Sequence, residues 1–257
     1  MTVSNQKATV GSTVDIVTDQ GVIDGHLFHP DETGSWPGML LLTDIRGVRL
    51  AFQAMGHRLA ANGYVVLLPN IYYRAGRAPV VDPTLPINDE VARARRSELR
   101  ATLTPEVVRT DLAAQLDYLT SQKQVRGDQA GVVGYWLTGA FALRAAEDFP
   151  ERIAAAASFH GGGLASDAPD SPHLRVDQIK ARLYLGYADE DPSMPAEMIE
   201  RLETALRKAG VPFRSDLYTG ARHGFAIEDG QAFDRDAAER HWHNLINLFH
   251  SAFAQTA

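Results

Sequence analysis

From about residue 39 onward the chain alternates short, unbroken apolar runs with longer segments whose apolar residues recur every three or four positions. Met39-Leu40-Leu41-Leu42 is apolar without interruption, as expected of a strand buried on both faces. Phe52, Met55 and Leu59 then share one helical face, and Asn62-Gly63 ends that helix. Tyr64-Val65-Val66-Leu67-Leu68-Pro69 reads as the next buried strand. Thr104-Pro105-Glu106 supplies an N-cap, a proline at the first helical position and a first-turn acid. The helix that follows sets Val108, Leu112, Leu116 and Leu119 on one side. Further strands are expected at Gly131–Tyr135, Ile153–Phe159, Arg182–Gly186 and Phe213–Tyr218. The helices between and after them run from Ala140 to Asp148, from Pro195 to Gly210 and from about Phe233 to Ala254. Met198, Leu202, Ala205 and Leu206 face inward on the second of these, and Trp242, Leu245 and Phe249 form a stripe on the third. Strands alternating with helices imply βαβ units, right-handed crossovers and a doubly wound, mostly parallel sheet covered on both faces.

Two stretches stand outside that rhythm. Thr13–Thr18 and Val22–Phe28 flank Asp19-Gln20-Gly21, the pattern of an N-terminal hairpin. Residues 70–103 carry Pro79, Pro83 and Pro86 and then an Arg/Glu-rich stretch from Glu90 to Arg100. That is longer than an ordinary connection. It reads as a lid-like insertion or pocket wall with a short helix, or equally as a solvated surface helix. No repeat or linker divides the chain, so one domain over residues 1–257 is expected.

Composition narrows the chemistry. At 257 residues most of the surface of the unfolded chain can be buried, so no covalent staple is needed. The absence of cysteine excludes disulfides, thiolate metal sites and a cysteine nucleophile. A net charge of −7 argues against nucleic acid as a partner, because such binding rests on neutralising phosphates. No apolar stretch approaches the roughly 20 residues that span a bilayer, so no membrane partner is expected. Met1–Val10 lacks a basic start followed by an apolar run, which points away from a secretory signal and toward the cytoplasm. His241 and His243 are two apart on a helix and face different ways, so they form no metal pair. No His/Asp/Glu set has ligand spacing, and no metal or cofactor is expected. A small molecule is the expected partner of a monomer or homodimer.

In such sheets ligands bind where the strands end. Gly134-Tyr135-Trp136-Leu137-Thr138-Gly139 follows one strand. Tyr187-Ala188-Asp189-Glu190-Asp191-Pro192 follows another, and Gly220-Ala221-Arg222-His223-Gly224-Phe225 follows the last. Elbow, acid and histidine, in that order, is the arrangement of an α/β-hydrolase triad. Asp189 fits the acid by its distance from Gly186, and Asp191 fits the Asp-Pro-x-x-Pro run ending at Pro195; Asp191 is favoured. His160, at the end of Ile153–Phe159, reads as a local hydrogen-bonding residue.

On these residues the chain resembles the dienelactone hydrolase (carboxymethylenebutenolidase) family over nearly its whole length. Gly134-Tyr135-Trp136-Leu137 matches the family's Gly-Tyr-Cys-x elbow, and Ala221-Arg222-His223-Gly224-Phe225 its histidine loop. Ser158-Phe159-His160-Gly161-Gly162 is similar to the family's intervening strand end, and Leu68-Pro69-Asn70-Ile71-Tyr72-Tyr73-Arg74 to the segment supplying a Tyr and an Arg to its pocket. The resemblance implies an α/β-hydrolase fold and hydrolysis of a small ester or lactone. It implies His223 and Asp191 as base and orienting acid, and Asp44, in Thr43-Asp44-Ile45-Arg46-Gly47, in place of a family glutamate near the nucleophile. It further implies Arg74 on a substrate carboxylate, Tyr72 beside it, and the N–H groups of Ile45 and Leu137 as oxyanion donors. Tyr72 and Tyr73 alternatively line the core.

The departures from that pattern are specific. Trp136 stands where the family has Cys, and its indole is a hydrogen-bond donor with no nucleophilic atom. Covalent catalysis from that position is excluded as the sequence stands. The second elbow glycine is Thr138, which predicts a relaxed elbow, and a second family arginine is Ile227. Three readings follow: a hydrolase in a form lacking its nucleophile, a nucleophile-independent enzyme using His223 as general base for a lyase, cyclisation or direct hydrolysis step, or a non-catalytic small-molecule-binding pseudoenzyme.

Overall fold

A computed structural model describes residues 7–254; of the polar N-terminal stretch, residues 1–6 lie outside the described residues. Its eight strands, numbered along the chain, lie in the order first, second, fourth, third, fifth, sixth, seventh, eighth, and its contacts group into two units. Residues up to Leu103 and Thr110–Ala130 make the first, and Thr104–Arg109 with Gly131 onward make the second.

In the first unit β1 (Thr9–Thr18) and β2 (Gly21–Pro30) pair antiparallel from Thr9↔Pro30 to Thr18↔Gly21, forming the expected hairpin. Its turn is tied by the Thr18 hydroxyl, which accepts the Gln20 N–H at 3.1 Å and donates to the Gly21 carbonyl at 2.8 Å. β2 pairs antiparallel with β4 (Val65–Pro69), and β3 (Trp36–Leu42) pairs parallel with β4. The apolar runs of β3 and β4 are buried throughout their centres, which is why they alternate with nothing polar. α1 (Leu50–Ala61) turns Phe52, Met55 and Leu59 inward, and Gly63 at φ 88° lets the chain reverse into β4. Within residues 70–103 a 3₁₀ turn covers Tyr73–Ala75 and α2 covers Glu90–Ala101, capped by the Asp89 carboxylate on the Ala92 N–H at 2.8 Å. Ile71, Tyr72, Val81 and Leu99 form a buried apolar cluster, so this segment is packed down by its own core. α3 spans Pro105–Thr120, and β5, Val125–Tyr135, carries the chain from the first unit to the second.

In the second unit β6 (Ile153–Phe159), β7 (Arg182–Glu190) and β8 (Phe213–Arg222) pair parallel. α4 (Leu137–Asp148) packs on β6, and α6 (Arg235–Phe253) packs on β6 and β7. α5 (Ala196–Ala209) buries Leu202 and Leu206, with Met198 and Ala205 half-buried, and ends at Gly210 in the left-handed region at φ 71°. A 3₁₀ segment at Pro172–Gln178 was not foreshadowed by periodicity.

One difference from the sequence expectation decides the site. β7 and β8 do not stop at Gly186 and Tyr218 but continue, through an irregularity between Ala188 and Glu190, to the pair Glu190↔Arg222. Asp191 and His223 are therefore the next residues on two hydrogen-bonded parallel strands.

Candidate active site

The elbow between β5 and α4 is sharp. Trp136 has φ 57° and ψ −117°, a conformation that costs a non-glycine residue of order 1–3 kcal/mol. The local sequence explains how it is held. A Cβ at Gly134 would lie 2.0 Å from the Thr138 carbonyl oxygen, so only glycine lets α4 start this close to the strand. The Thr138 hydroxyl accepts the Tyr135 N–H at 2.9 Å and donates to the Tyr135 carbonyl at 3.1 Å. The relaxed elbow expected from Thr138 is thus corrected: its side chain ties the turn, and close packing is met one residue on, at Gly139. A Cβ there would lie 2.4 Å from the Ser158 hydroxyl.

At the ends of β7 and β8, His223 Nδ1 donates to Asp191 Oδ2 at 2.6 Å. The other oxygen, Oδ1, accepts the Ser193 N–H at 2.9 Å and its hydroxyl at 2.5 Å. Burial pushes the Asp191 carboxyl up, but the hydrogen bonds from His223 and Ser193 outweigh it and hold the group below the usual carboxylate range. Asp191 is therefore a charged acceptor at neutral pH, hydrogen-bonded on both oxygens. Asp189 lies on the extended β7, where its Oδ2 accepts the Gly220 N–H at 2.8 Å. With Nδ1–H committed to Asp191, the lone pair of the neutral imidazole is on Nε2. Nε2 is enclosed and has no hydrogen-bond partner among the described residues. The Trp136 ring meets His223 edge-on, 4.7 Å between centroids at 64°.

His160 departs from its sequence reading. Both ring nitrogens are buried without a hydrogen-bond partner among the described residues, and the backbone sits at φ 38°. The reason is its packing among rings: the centroid lies 5.2 Å from Phe225, 5.4 Å from His223 and 5.8 Å from Tyr135. Burial, then the neighbouring imidazoles of His223 and His241, push its imidazole well below the ordinary range, so it is neutral. Among the residues the sequence did not single out, Ser193 matters most. Its signal was present, since Asp-x-Ser is an Asx-turn pattern in which the serine turns back on the aspartate.

The site residues expected in the first unit have partners of their own. Asp44 is buried and binds the Arg49 guanidinium through both oxygens, each at 2.7 Å, while also accepting the Arg46 N–H at 2.8 Å. The Ile45 carbonyl accepts the Tyr72 hydroxyl at 3.1 Å. Arg74 makes a two-point pair with Asp111, at 2.7 and 2.8 Å, and lies over the Tyr73 ring. Asp111 also accepts the Tyr73 hydroxyl at 2.9 Å. In the second unit Leu137 is half-buried and opens α4. Among the described residues no group of three or more His, Asp or Glu is arranged to hold a metal ion, and no helix is long and apolar enough to cross a membrane.

Comparison with known proteins identifies the family. A carboxymethylenebutenolidase of Rhodococcus opacus is 28% identical over 87% of this chain and 84% of its own. A Synechocystis sp. relative, provisionally given the same name, is 30% identical over 88% of this chain and 91% of its own. In the crystal structure of a Klebsiella pneumoniae protein, provisionally named a dienelactone hydrolase, the same fold recurs with a TM-score of 0.84 at 20% identity, covering 95% of this chain and 99% of that one. The model of the dienelactone hydrolase family matches residues 23–253, and the chain, an α/β-hydrolase fold with tryptophan at the elbow, belongs to that family.

Proposed function

We propose that the chain hydrolyses a small ester or lactone by direct attack of water, with His223 as general base and no covalent intermediate at position 136. The observation that carries this reading is the His223–Asp191 pair, in which Nδ1–H is committed and Nε2 is left as an unpartnered base. In the reaction a water oxygen bonds to the substrate carbonyl carbon as its proton passes to Nε2. Asp191 stabilises the imidazolium so formed and fixes its tautomer. The tetrahedral intermediate then expels the alkoxide, which takes the proton back from His223; ester plus water becomes acid plus alcohol. The N-terminus of α4, with the Leu137 N–H in its first turn, is the expected donor to the developing oxyanion. Asp44 and Arg74, held by Arg49 and Asp111, act in this reading as framework.

His223→Ala is expected to lower turnover of p-nitrophenyl acetate and of a small lactone by about 10²–10⁴-fold, the span of a positioned general base. Its thermal midpoint should stay near that of the unaltered chain. Unchanged turnover in that variant sinks the proposal.

A second reading is favoured by the edge-on Trp136 contact, which sets an indole against the base. There the chain binds a small molecule without converting it. Ligand-induced quenching of Trp136 fluorescence, lost in Trp136→Phe and accompanied by no turnover, would support it over hydrolysis.

A further inference from the structure

The inner face of α2 is made by Ala92, Arg96 and Leu99, so an arginine sits where the helix needs an apolar residue. Arg96 is only 5% exposed. Arginine keeps its charge even when buried, and an enclosed charge without a counter-ion is strongly unfavourable. No acidic side chain pairs with it among the described residues. Its Nη2 donates to the Ile87 carbonyl, and that is its one hydrogen bond among them. Asp44 and Asp89 attract it without direct contact, and both are hydrogen-bonded elsewhere, Asp44 by Arg49 and Asp89 by the Ala92 N–H. Nε and Nη1 have no partner there either, yet neither is fully sealed from solvent.

A second positive charge lies nearby. Arg46 donates to the Pro83 carbonyl at 2.7 Å and sits close enough to repel Arg96. Arg100, four residues on and so on the same side of the helix, is exposed, and with Arg96 it acts on the buried Tyr72 hydroxyl. Burial first, then the charge of Arg46, pulls Arg96 below the ordinary arginine range. In a chain with net charge −7, Arg96 beside Arg46, with Arg96 and Arg100 both acting on the Tyr72 phenol, is more than a solvated surface stripe.

We propose that Arg96, flanked by Arg46 and Arg100, is the binding site for the oxyanion group, carboxylate or phosphate, of a small molecule. The anion supplies the direct ion pair that Arg96 lacks, and its Nε and Nη1 are the donors, a geometry suited to two-point contact. Arg74, already paired with Asp111, is not part of it. The proposal concerns binding and stands apart from whether His223 promotes hydrolysis.

Titration calorimetry on the full chain with benzoate, phenyl phosphate and uncharged benzamide tests it directly. Saturable binding of at least one anion, and none of benzamide, is expected. Whichever anion binds more tightly identifies carboxylate or phosphate as the group selected. Arg96→Gln should weaken binding at least tenfold, and Arg46→Gln severalfold. Arg95→Gln, a half-buried change on the same helix, should stay within twofold. Should Arg96→Gln not fold, Arg46→Gln carries the test alone. Anion binding absent into the millimolar range, equal for benzamide, or insensitive to both variants would overturn the proposal. Turnover in the unaltered chain with no anion binding would leave hydrolysis standing and remove this site.

Discussion

Trp136→Cys is expected to open a covalent route and to raise hydrolysis of p-nitrophenyl acetate on the order of 10³-fold, since nucleophile and base act as one unit in such sites. Three features support so large a gain from one residue. The elbow already holds position 136 at φ 57° and ψ −117°, so cysteine inherits the strained backbone. Gly134 and the Thr138 hydroxyl hold that turn, and neither depends on the indole. The ring now occupying the site is 4.7 Å from His223, whose Nε2 is unpartnered and able to take a thiol proton. Trp136→Ala removes the same bulk without adding a nucleophile. It should give little of the gain, and no acyl-enzyme should form. Equal rates in the Cys and Ala variants would show that opening the site, not a nucleophile, was responsible.

Glu147→Gln is expected to stabilise the protein by several kcal/mol at pH 8 and by little at pH 5. Glu147 lies on the buried side of α4, 2% exposed, with neither carboxylate oxygen hydrogen-bonded among the described residues. Burial pushes its carboxyl from 4.5 up to about 8, against the pull of Arg144 and Arg175. Between those two values the folded chain keeps a proton that the unfolded chain releases. Folding stability therefore falls as pH rises, by about 1.4 kcal/mol per unit across that window, and levels off above pH 8. Glutamine is neutral throughout and removes this loss. Thermal midpoints measured from pH 5 to pH 8 should diverge steadily, the variant gaining roughly 2–4 °C per kcal/mol for a chain of this size. A constant offset at every pH would show that Glu147 is already charged and accommodated.

The parts of the fold legible in the sequence are those written in local pattern. The unbroken runs of β3 and β4, the Thr104-Pro105 start of α3 and the Gly210 stop of α5 each carry their own signal. So do the elbow glycine and the order of acid and histidine. Asp189 and Asp191 are not distinguished by local pattern, because the difference between them depends on where two strands stop pairing. Apolar character ends near Gly186 and Tyr218, while the backbone ladder continues to Glu190↔Arg222. The partners of Asp44 and Arg74 were not legible at all. Both residues match a family pattern, but their charges are neutralised by Arg49 and by Asp111, the latter 37 positions along the chain. No periodicity links such pairs. Thr138 shows a third kind of gap: read as a missing glycine it implied a loose turn, whereas its hydroxyl makes the bonds that tie the turn.

The central claim is that His223 and Asp191 remain a working base without a nucleophile at the elbow. Rapid-mix hydrolysis of p-nitrophenyl acetate by the unaltered chain, followed by intact-protein mass, tests it most directly. Linear nitrophenol release from the first turnover, no acetyl adduct, and loss of that release in His223→Ala are expected. A stoichiometric burst with an acetylated protein would place a nucleophile elsewhere in the chain and contradict it.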